Sequence, residues 1–209
     1  MRLVLASASP RRAELLRLAG YTFDVHGVDV DERIRESEAP AIYVRRLAAE
    51  KSAAATAAMF TLHGAADDVV ILGADTSVVV DDAILGKPRD ERDAERMLRL
   101  LSGRAHAVMT GISLRRGAYE VGRVVTTQVE FAVLSREDIS WYLATGEGRD
   151  KAGAYGIQGF ASRFVTSIHG SYSNVVGLPV AAVHELLGDI ASGSASDYSG
   201  RAAFPRKSL

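Results

Sequence analysis

The pattern of apolar positions along the chain predicts short buried strands that alternate with helices. Uninterrupted apolar runs are typical of buried strands, whereas apolar residues three or four apart are typical of one helix face. Strands are predicted at residues 3–6, 69–72, 77–80, 83–85, 107–114, 121–134 and 164–168, with a short half-buried strand at 21–25. Helices are predicted at residues 10–19, 40–59, 91–101, 136–145 and 179–187. Strands and helices interleaved in this way predict an α/β fold with a mixed sheet.

Two turns constrain how the predicted strands pair. Arg116-Gly117 separates the two longest strands, which are therefore expected to form a hairpin. Asp81-Asp82 separates two shorter strands and is predicted to be a two-residue turn. A turn of that length would place Lys87 opposite Thr76 and beside Asp75, so that an acid and a lysine meet at the mouth of the hairpin.

The composition is that of an ordinary soluble globular protein, and it excludes several kinds of partner and site. Among 209 residues there are 25 Lys and Arg against 26 Asp and Glu, a formal net charge of −1. Neither nucleic acid nor a membrane surface is therefore expected as a partner. Because the chain has no cysteine, it has no disulfide, thiolate zinc site, iron–sulfur cluster or cysteine nucleophile.

The length predicts one large domain or two small lobes, and we expect residues 1–189 to form one domain with two lobes around a cleft. A tail at residues 190–209 follows, which is rich in Ser, Gly and Ala and is expected to be mobile. The apolar run at residues 3–6 is shorter than the roughly seven to fifteen residues of a secretory signal. No apolar stretch reaches the length of about 20 residues that spans a membrane. We therefore expect a cytoplasmic protein.

The first candidate for chemistry is the segment Ser7-Ala8-Ser9-Pro10-Arg11-Arg12, where a predicted strand ends and a helix begins. Ser9 suits the N-cap and Pro10 the first helical position. Backbone N–H groups at a helix N-terminus attract anions, and serine hydroxyls and guanidinium groups strengthen that attraction. Arginine in a first helical turn opposes the helix dipole unless an anion is bound there. The segment is either a phosphate site or a capped helix with two solvated arginines.

The second candidate combines Gly73-Ala74-Asp75-Thr76, interpreted as a strand end, with Gly86-Lys87-Pro88 across the predicted hairpin. The carboxylate of Asp75 could hold a divalent metal or orient a water, and Lys87 could neutralise phosphate charge. A cross-strand ion pair at a sheet edge explains the same residues equally well. Asp29, Asp31 and Glu32 lie in an acidic segment at residues 27–39, which is either a solvated loop or the source of a second metal carboxylate.

The third candidate is a glycine-rich loop at residues 146–159. Its glycines let the backbone approach a ligand closely. Lys151 offers positive charge, and Gln158 offers an amide whose donors and acceptor can pair with a nucleobase edge. A flexible connecting loop without a ligand is the alternative.

These motifs occur in one order: S-A-S-P-R-R from Ser7, G-A-D-T then G-K-P, L-S-G-R from Leu101, D-K-A-G-A-Y-G-I-Q-G from Asp150, and G-S-Y-x-N-V-V-G-L-P from Gly170. Together they closely resemble the Maf family of nucleoside triphosphate pyrophosphatases, also called septum formation inhibitors. The resemblance covers about residues 3–187. It implies a fold of the inosine-triphosphatase (Ham1) type, in which helices flank a long curved mixed sheet with a central cleft. It also implies hydrolysis of a nucleoside triphosphate to the monophosphate and pyrophosphate with a divalent metal, Mg²⁺ or Mn²⁺.

The resemblance also implies roles for particular residues. Asp75 matches the proposed catalytic acid, which serves as proton acceptor. Three residues match positions that tune substrate choice in the branch acting on dTTP and UTP, namely Arg11, Thr76 and Gln158. Further cleft positions are matched by Ser7, Arg12, Glu32, Lys51 and Lys87.

Elementary chemistry refines these roles. An ordinary aspartate is a poor base at neutral pH, so Asp75 is expected mainly to hold metal, together with Glu32, and to orient water. Adjacent helical residues are about 100° apart, so we expect Arg12 to grip phosphate and Arg11 to lie near the base or ribose. Substrate contacts are also expected from Ser9 and Lys151.

Two classes of function remain open from the sequence. The first is the enzyme, for which Asp75, Lys87 and Arg12 are the predicted catalytic residues. The alternative is a nucleotide-binding regulator of cell division in which catalysis is incidental or absent. The presence of Asp75 and Lys87 favours the enzyme, because a protein that only binds nucleotide would not need the acid. A homodimer is an expectation from the family resemblance only.

Overall fold

The computed structural model describes residues 1–63 and 68–192, which form a mixed sheet flanked by helices. The strands are β1 (Arg2–Leu5), β2 (Phe23–Val25), β3 (Val69–Val80), β4 (Ala83–Leu85), β5 (Ala105–Arg116), β6 (Tyr119–Phe131) and β7 (Val165–His169). The α-helices are α1 (Pro10–Leu18), α2 (Pro40–His63), α3 (Glu91–Leu101), α4 (Arg136–Thr145), α5 (Tyr172–Val176) and α6 (Val180–Ser192). Short 3₁₀ helices span Glu147–Asp150, Ala152–Ala154 and Phe160–Phe164.

The sheet has seven strands in the order β2-β1-β3-β5-β6-β7, with β4 paired to β3 outside this path. β1 is parallel to both β2 and β3, whereas the other pairs are antiparallel. β5 and β6 form the predicted long hairpin, but its turn is Gly117-Ala118, one residue beyond the predicted Arg116-Gly117, because Arg116 pairs with Tyr119. The α/β fold with a mixed sheet is therefore confirmed.

The interpretation of residues 73–76 as the end of a strand is wrong. β3 continues through them to Val80, because β5 pairs with it from Ile71 to Val79 and places Gly111 opposite Asp75. Glycine and aspartate are poor strand formers, but pairing with a neighbouring strand overrides this local preference. Asp75 and Thr76 thus lie in mid-strand, and their side chains point to opposite faces of the sheet.

The hairpin at Asp81-Asp82 has the predicted register, with Val78 opposite Leu85 and Val79 opposite Ile84. Both aspartates have positive φ, 49° and 62°. A two-residue turn of type I′ requires this conformation at both central positions, and Asp adopts it more readily than most residues.

Helix ends differ from the predicted ones. α2 continues to His63, past the predicted residue 59, and α6 continues to Ser192, past residue 187. The tail predicted at residues 190–209 therefore begins inside α6, and its residues 193–209 lie outside the described residues. Among the residues that are described, no helix is both long and apolar enough to cross a bilayer.

Alternation along β1 and β3 decides which helices cover which face. Leu3 and Leu5 of β1 share a buried cluster with Leu16 of α1 and with residues of α6. Val4, which points the other way, shares a cluster with Ala55 of α2. The same alternation in the first half of β3 turns Val69 and Ile71 towards α2, and Val70, Leu72 and Ala74 towards α1 and α6. The sheet thereby separates the side chain of Asp75 from that of Thr76.

Two glycines let α2 lie directly on the sheet. A Cβ added to Gly73 would lie 2.2 Å from the carbonyl oxygen of Ala48, and one added to Gly111 would lie 2.1 Å from that of Val44. Real Cβ atoms do not approach backbone oxygens so closely, so the helix backbone occupies the space that side chains of β3 and β5 would fill. This close approach fixes the height of α2 above the strand that carries Asp75.

We expect Gly111→Ala to lower the free energy of unfolding by about 1–3 kcal/mol, because α2 must move away from the sheet to admit the methyl group. Urea unfolding of the purified variant measures the change. The control is Gly188→Ala in α6, where an added Cβ meets nothing within 4 Å. Replacing a helical glycine by alanine there should stabilise by up to about 1 kcal/mol. Equal unfolding midpoints for Gly111→Ala and the wild type would contradict this packing.

Candidate functional site

A gap along one edge of β3 opens a cleft into the sheet. On that edge β3 pairs with β1 at Val69–Leu72 and with β4 at Val78–Val80, but residues 73–77 have no strand partner there. The chain leaves β1 at this point and turns into α1, which leaves a cleft of about 660 Å³. Every predicted site residue lines it: Ser7, Ser9, Arg11, Arg12, Glu32, Lys51, Asp75, Thr76, Lys87, Lys151 and Gln158.

At the floor of the cleft one lysine binds two carboxylates. Nζ of Lys51, from α2, lies 2.7 Å from Oδ1 of Asp75 and 2.7 Å from Oε1 of Glu32. Lys51 and Asp75 are buried, whereas the side chain of Glu32 is 54% exposed. Burial raises the pKa of Glu32, but hydrogen bonding to Lys51 and the positive charges of Lys51, Lys87 and Arg12 bring it below its ordinary value. The lowered pKa favours the charged form of Glu32 beside the Lys51 side chain.

The prediction that Lys87 pairs opposite Thr76 and lies beside Asp75 is wrong. The β3–β4 ladder ends at Val78 and Leu85, and the next carbonyl, that of Gly86, accepts a hydrogen bond from the N–H of Gly153 instead. The chain therefore leaves β3 before Lys87, and the cation that contacts Asp75 is Lys51. Lys87 still lines the cleft, and its charge contributes to the lowered pKa of Glu32.

Arg12 fills the gap in the sheet edge. Its Nη1 donates to the carbonyl of Ala74 at 2.8 Å, which no strand pairs on that edge, and to Oγ of Ser7 at 3.1 Å. Its Nε donates to the carbonyl of Gly177 at 2.9 Å and its Nη2 to Oγ1 of Thr76 at 3.1 Å. These bonds use four of the five guanidinium N–H groups. Buried Arg12 therefore links α1, β3 and the end of α5.

Arg11 and Ser9 lie at the same helix end but are far less engaged. Nη1 of Arg11 lies 3.4 Å from Oδ2 of Asp150, and the Asp150 side chain is 68% exposed. Ser9 occupies the N-cap position with Pro10 after it, as predicted, but its hydroxyl makes no capping hydrogen bond. The expected role of that side chain as a cap is therefore wrong, and its hydroxyl lies at the cleft beside the first turn of α1.

The predicted glycine-rich loop is partly 3₁₀ helix and forms the opposite wall of the cleft. Nζ of Lys151 lies 2.5 Å from the carbonyl oxygen of Glu147 and 2.7 Å from Oδ1 of Asp150, so it braces the loop. Gln158 is exposed, and no described residue forms a hydrogen bond with its side chain. Its amide is the part of this wall that has its donors and acceptor available.

Sequence reasoning missed two residues that shape the cleft. The hydroxyl of Tyr43, on α2, donates to the backbone carbonyl of Glu32 at 2.9 Å and so fixes that segment over the cleft. The carboxylate of Glu147 accepts hydrogen bonds from the N–H groups of Phe160 and Ala161. Neither residue carries a recognisable spacing signal, because both act through contacts with backbone groups far along the chain.

The two carboxylates fit a divalent cation. Oδ2 of Asp75 and Oε2 of Glu32 accept no hydrogen bond from the described residues, while their other oxygens share Lys51. Carboxylate oxygen is the ligand that Mg²⁺ and Mn²⁺ prefer. In residues 1–63 and 68–192 no group of three or more His, Asp or Glu side chains is placed to hold an ion. Proteins nonetheless often bind Mg²⁺ through only one or two carboxylates, and substrate phosphate and water supply the remaining ligands.

Several dTTP/UTP pyrophosphatases are similar to this chain. That of Shewanella oneidensis is 50% identical over 194 residues, which are 90% of this chain and 98% of the relative. That of Anaeromyxobacter dehalogenans is 50% identical over 89% of this chain and 92% of its own. That of Symbiobacterium thermophilum is 51% identical over 88% of this chain and 92% of its own.

A solved structure and a family model also match. The Ham1 protein of Staphylococcus aureus aligns with a TM-score of 0.41 and 14% identity over 63% of this chain and 72% of its own. The family model described as Maf-like protein matches residues 2–190. With a match over nearly all the described residues and relatives at about half identity, this chain belongs to the Maf family.

Proposed function

We propose that this protein is a nucleoside triphosphate pyrophosphatase that cleaves between the α- and β-phosphates and prefers dTTP and UTP. The names of its relatives support the activity and the substrates. The observation that carries the proposal is the pairing of Asp75 and Glu32 on Lys51 at the floor of a cleft whose mouth carries Arg11 and Lys87. Negative charge for a metal and positive charge for a phosphate tail are thus brought together in one cleft.

In the proposed reaction Asp75 orients the attacking water. Its Oδ2 is available to accept a hydrogen bond, while Oδ1 accepts one from Lys51. The water oxygen attacks the α-phosphorus, the bond from that phosphorus to the bridging oxygen breaks, and pyrophosphate leaves. A proton of the water passes to Asp75. Asp75 and Glu32 would hold a bound Mg²⁺ or Mn²⁺, which supplies positive charge against the phosphate oxygens.

The phosphate tail is assigned to the groups whose donors are available. Arg11 has one long, exposed ion pair to exchange for phosphate, and the hydroxyl of Ser9 and the first turn of α1 lie next to it. Lys87, which is exposed and lines the same cleft, adds positive charge. Arg12, with four N–H groups bonded to the protein, becomes a positioning residue in this proposal, in place of the direct phosphate contact expected from the sequence.

Gln158 is assigned to the base. A primary amide has two N–H donors and one acceptor, so it matches the carbonyl and N3–H edge that uracil and thymine share. Gln158 is exposed at the cleft with its side chain unused by the described residues. Cytosine presents a different pattern on the same edge, which makes CTP the discriminating competitor.

We expect UTP to give UMP and pyrophosphate in the presence of Mg²⁺ or Mn²⁺, because the water attacks the α-phosphorus. Phosphorus NMR of a reaction run in ¹⁸O-labelled water measures both the products and the position of the label, which should be in UMP. Activity should vanish with a chelator and return when metal is added back. UDP with orthophosphate would contradict the proposed cleavage, and nucleotide binding without any product would favour the regulatory alternative.

We expect Gln158→Ala to lower the preference for UTP over CTP, measured as the ratio of their kcat/KM values, by about 5- to 150-fold. That range corresponds to the roughly 1–3 kcal/mol that unpaired polar groups on a bound base cost. Gln128→Ala is the matched control, since Gln128 is an exposed residue of β6 that does not line the cleft. If both nucleotides lose rate equally in Gln158→Ala, the amide does not read the base.

A further inference from the structure

The loop that carries Gln158 is held from beneath by Glu147. This residue begins the 3₁₀ helix that follows α4, and its carboxylate lies under the loop. Oε2 accepts a hydrogen bond from the N–H of Phe160 at 2.6 Å, and Oε1 accepts one from the N–H of Ala161 at 3.3 Å. Both N–H groups belong to the first turn of the 3₁₀ helix Phe160–Phe164, whose own preceding residue, Gly159, has no side chain to bond them.

The carboxylate of Glu147 is itself fixed from the other side. The hydroxyl of Tyr142, a buried residue of α4, donates to Oε1 of Glu147 at 2.9 Å. Three donors therefore converge on one carboxylate, and bonds to a charged acceptor are stronger than those between neutral groups. A carboxylate engaged in this way is anchored to the protein, so Glu147 is not available as a ligand for metal or substrate.

Two glycines near Gln158, Gly156 and Gly159, pack closely against the side chains of Lys151 and Glu147. A Cβ added to Gly159 would lie 1.9 Å from Oε2 of Glu147, so the carboxylate occupies the space that a side chain there would need. A Cβ added to Gly156 would lie 2.7 Å from Cε of Lys151, whose Nζ contacts the carbonyl oxygen of Glu147. Ile157, between them, is buried. The loop backbone thus packs against Glu147 and Lys151, while the Gln158 side chain is exposed at the cleft.

We infer that Glu147 is a positioning residue for nucleotide selectivity, which acts by fixing the backbone that presents the Gln158 amide to the base. This inference rests on the proposed role of Gln158. A hydrogen-bonding group discriminates best between two bases when the backbone that carries it is fixed, because a mobile loop lets the group shift its position and pair with either base. The carboxylate supplies that restraint through the N–H groups of Phe160 and Ala161.

Glu147→Gln tests the inference with little change in shape. An amide has one acceptor oxygen and no charge, so it cannot serve all three donors. We expect faster hydrogen exchange in the peptide spanning residues 156–161 of the free protein. We also expect the UTP-to-CTP ratio of kcat/KM to fall towards its value in Gln158→Ala. Glu137→Gln is the matched control, because Glu137 is an exposed residue of α4 that accepts no hydrogen bond from the described residues.

A second variant reaches the same contact without changing Glu147. Gly159→Ala introduces a methyl group where Oε2 lies and must displace the carboxylate, so it should reproduce the loss of selectivity. It also keeps the inference testable if Glu147→Gln does not fold. In the Gln158→Ala background, neither variant should change the selectivity ratio further, because the amide through which they act is gone.

The outcomes separate the inference from the proposed function. Unchanged exchange in residues 156–161, an equal loss of rate with UTP and CTP, or a further fall in the ratio in the Gln158→Ala background would each overturn the role of Glu147. Selectivity lost in Gln158→Ala but retained in Glu147→Gln would overturn that role and leave the proposed function intact. Wild-type selectivity in Gln158→Ala would show that Gln158 does not contact the base. It would also overturn the inference that Glu147 acts on selectivity through Gln158.

Discussion

The contact between α2 and the sheet determines where charge lies in the cleft. Because Gly73 and Gly111 lack side chains, the backbone of α2 lies directly on β3 and β5. At that height Lys51 reaches Asp75 at 2.7 Å while remaining buried, and it also reaches Glu32. A buried ammonium beside a single carboxylate would leave no net negative charge for a metal. The second carboxylate, half exposed, makes the group net negative and open to the cleft.

The missing strand partner along residues 73–77 of β3 is what gives this group access to a ligand. A complete sheet would bury this edge of β3. Here β1 pairs with β3 only as far as Leu72, and β4 pairs with it only from Val78 onward. Arg12 supplies hydrogen bonds where a strand would have done so, and it ties α1 to Gly177 beyond α5. One side chain, that of Arg12, therefore stabilises the unpaired edge of β3, where the backbone of a neighbouring strand would otherwise pair with it. The cleft and the stability of its walls depend on the same residue.

Local pattern predicts the elements of this fold well and its side-chain pairings poorly. The register of the Asp81-Asp82 hairpin follows from turn length alone, and it is confirmed. Extending that register to Lys87 fails, because the bond from Gly153 to Gly86 diverts the chain, and nothing near Lys87 in sequence signals it. Only the family resemblance indicates Lys51, since a lysine on an alanine-rich helix is ordinarily solvated. No sequence pattern indicates Glu147, because its partners are backbone N–H groups thirteen and fourteen residues away.

The central claim is that the Asp75 carboxylate held by Lys51 carries the hydrolysis, and Asp75→Asn tests it most directly. Steady-state turnover of UTP and equilibrium binding of a non-cleavable α,β-methylene analogue are measured on the same preparation with saturating Mg²⁺. We expect turnover to fall by about 10²- to 10⁴-fold, the usual contribution of a positioned proton acceptor. Binding should stay within about tenfold of the wild type, a change of about 1.4 kcal/mol. Turnover close to that of the wild type would contradict the account.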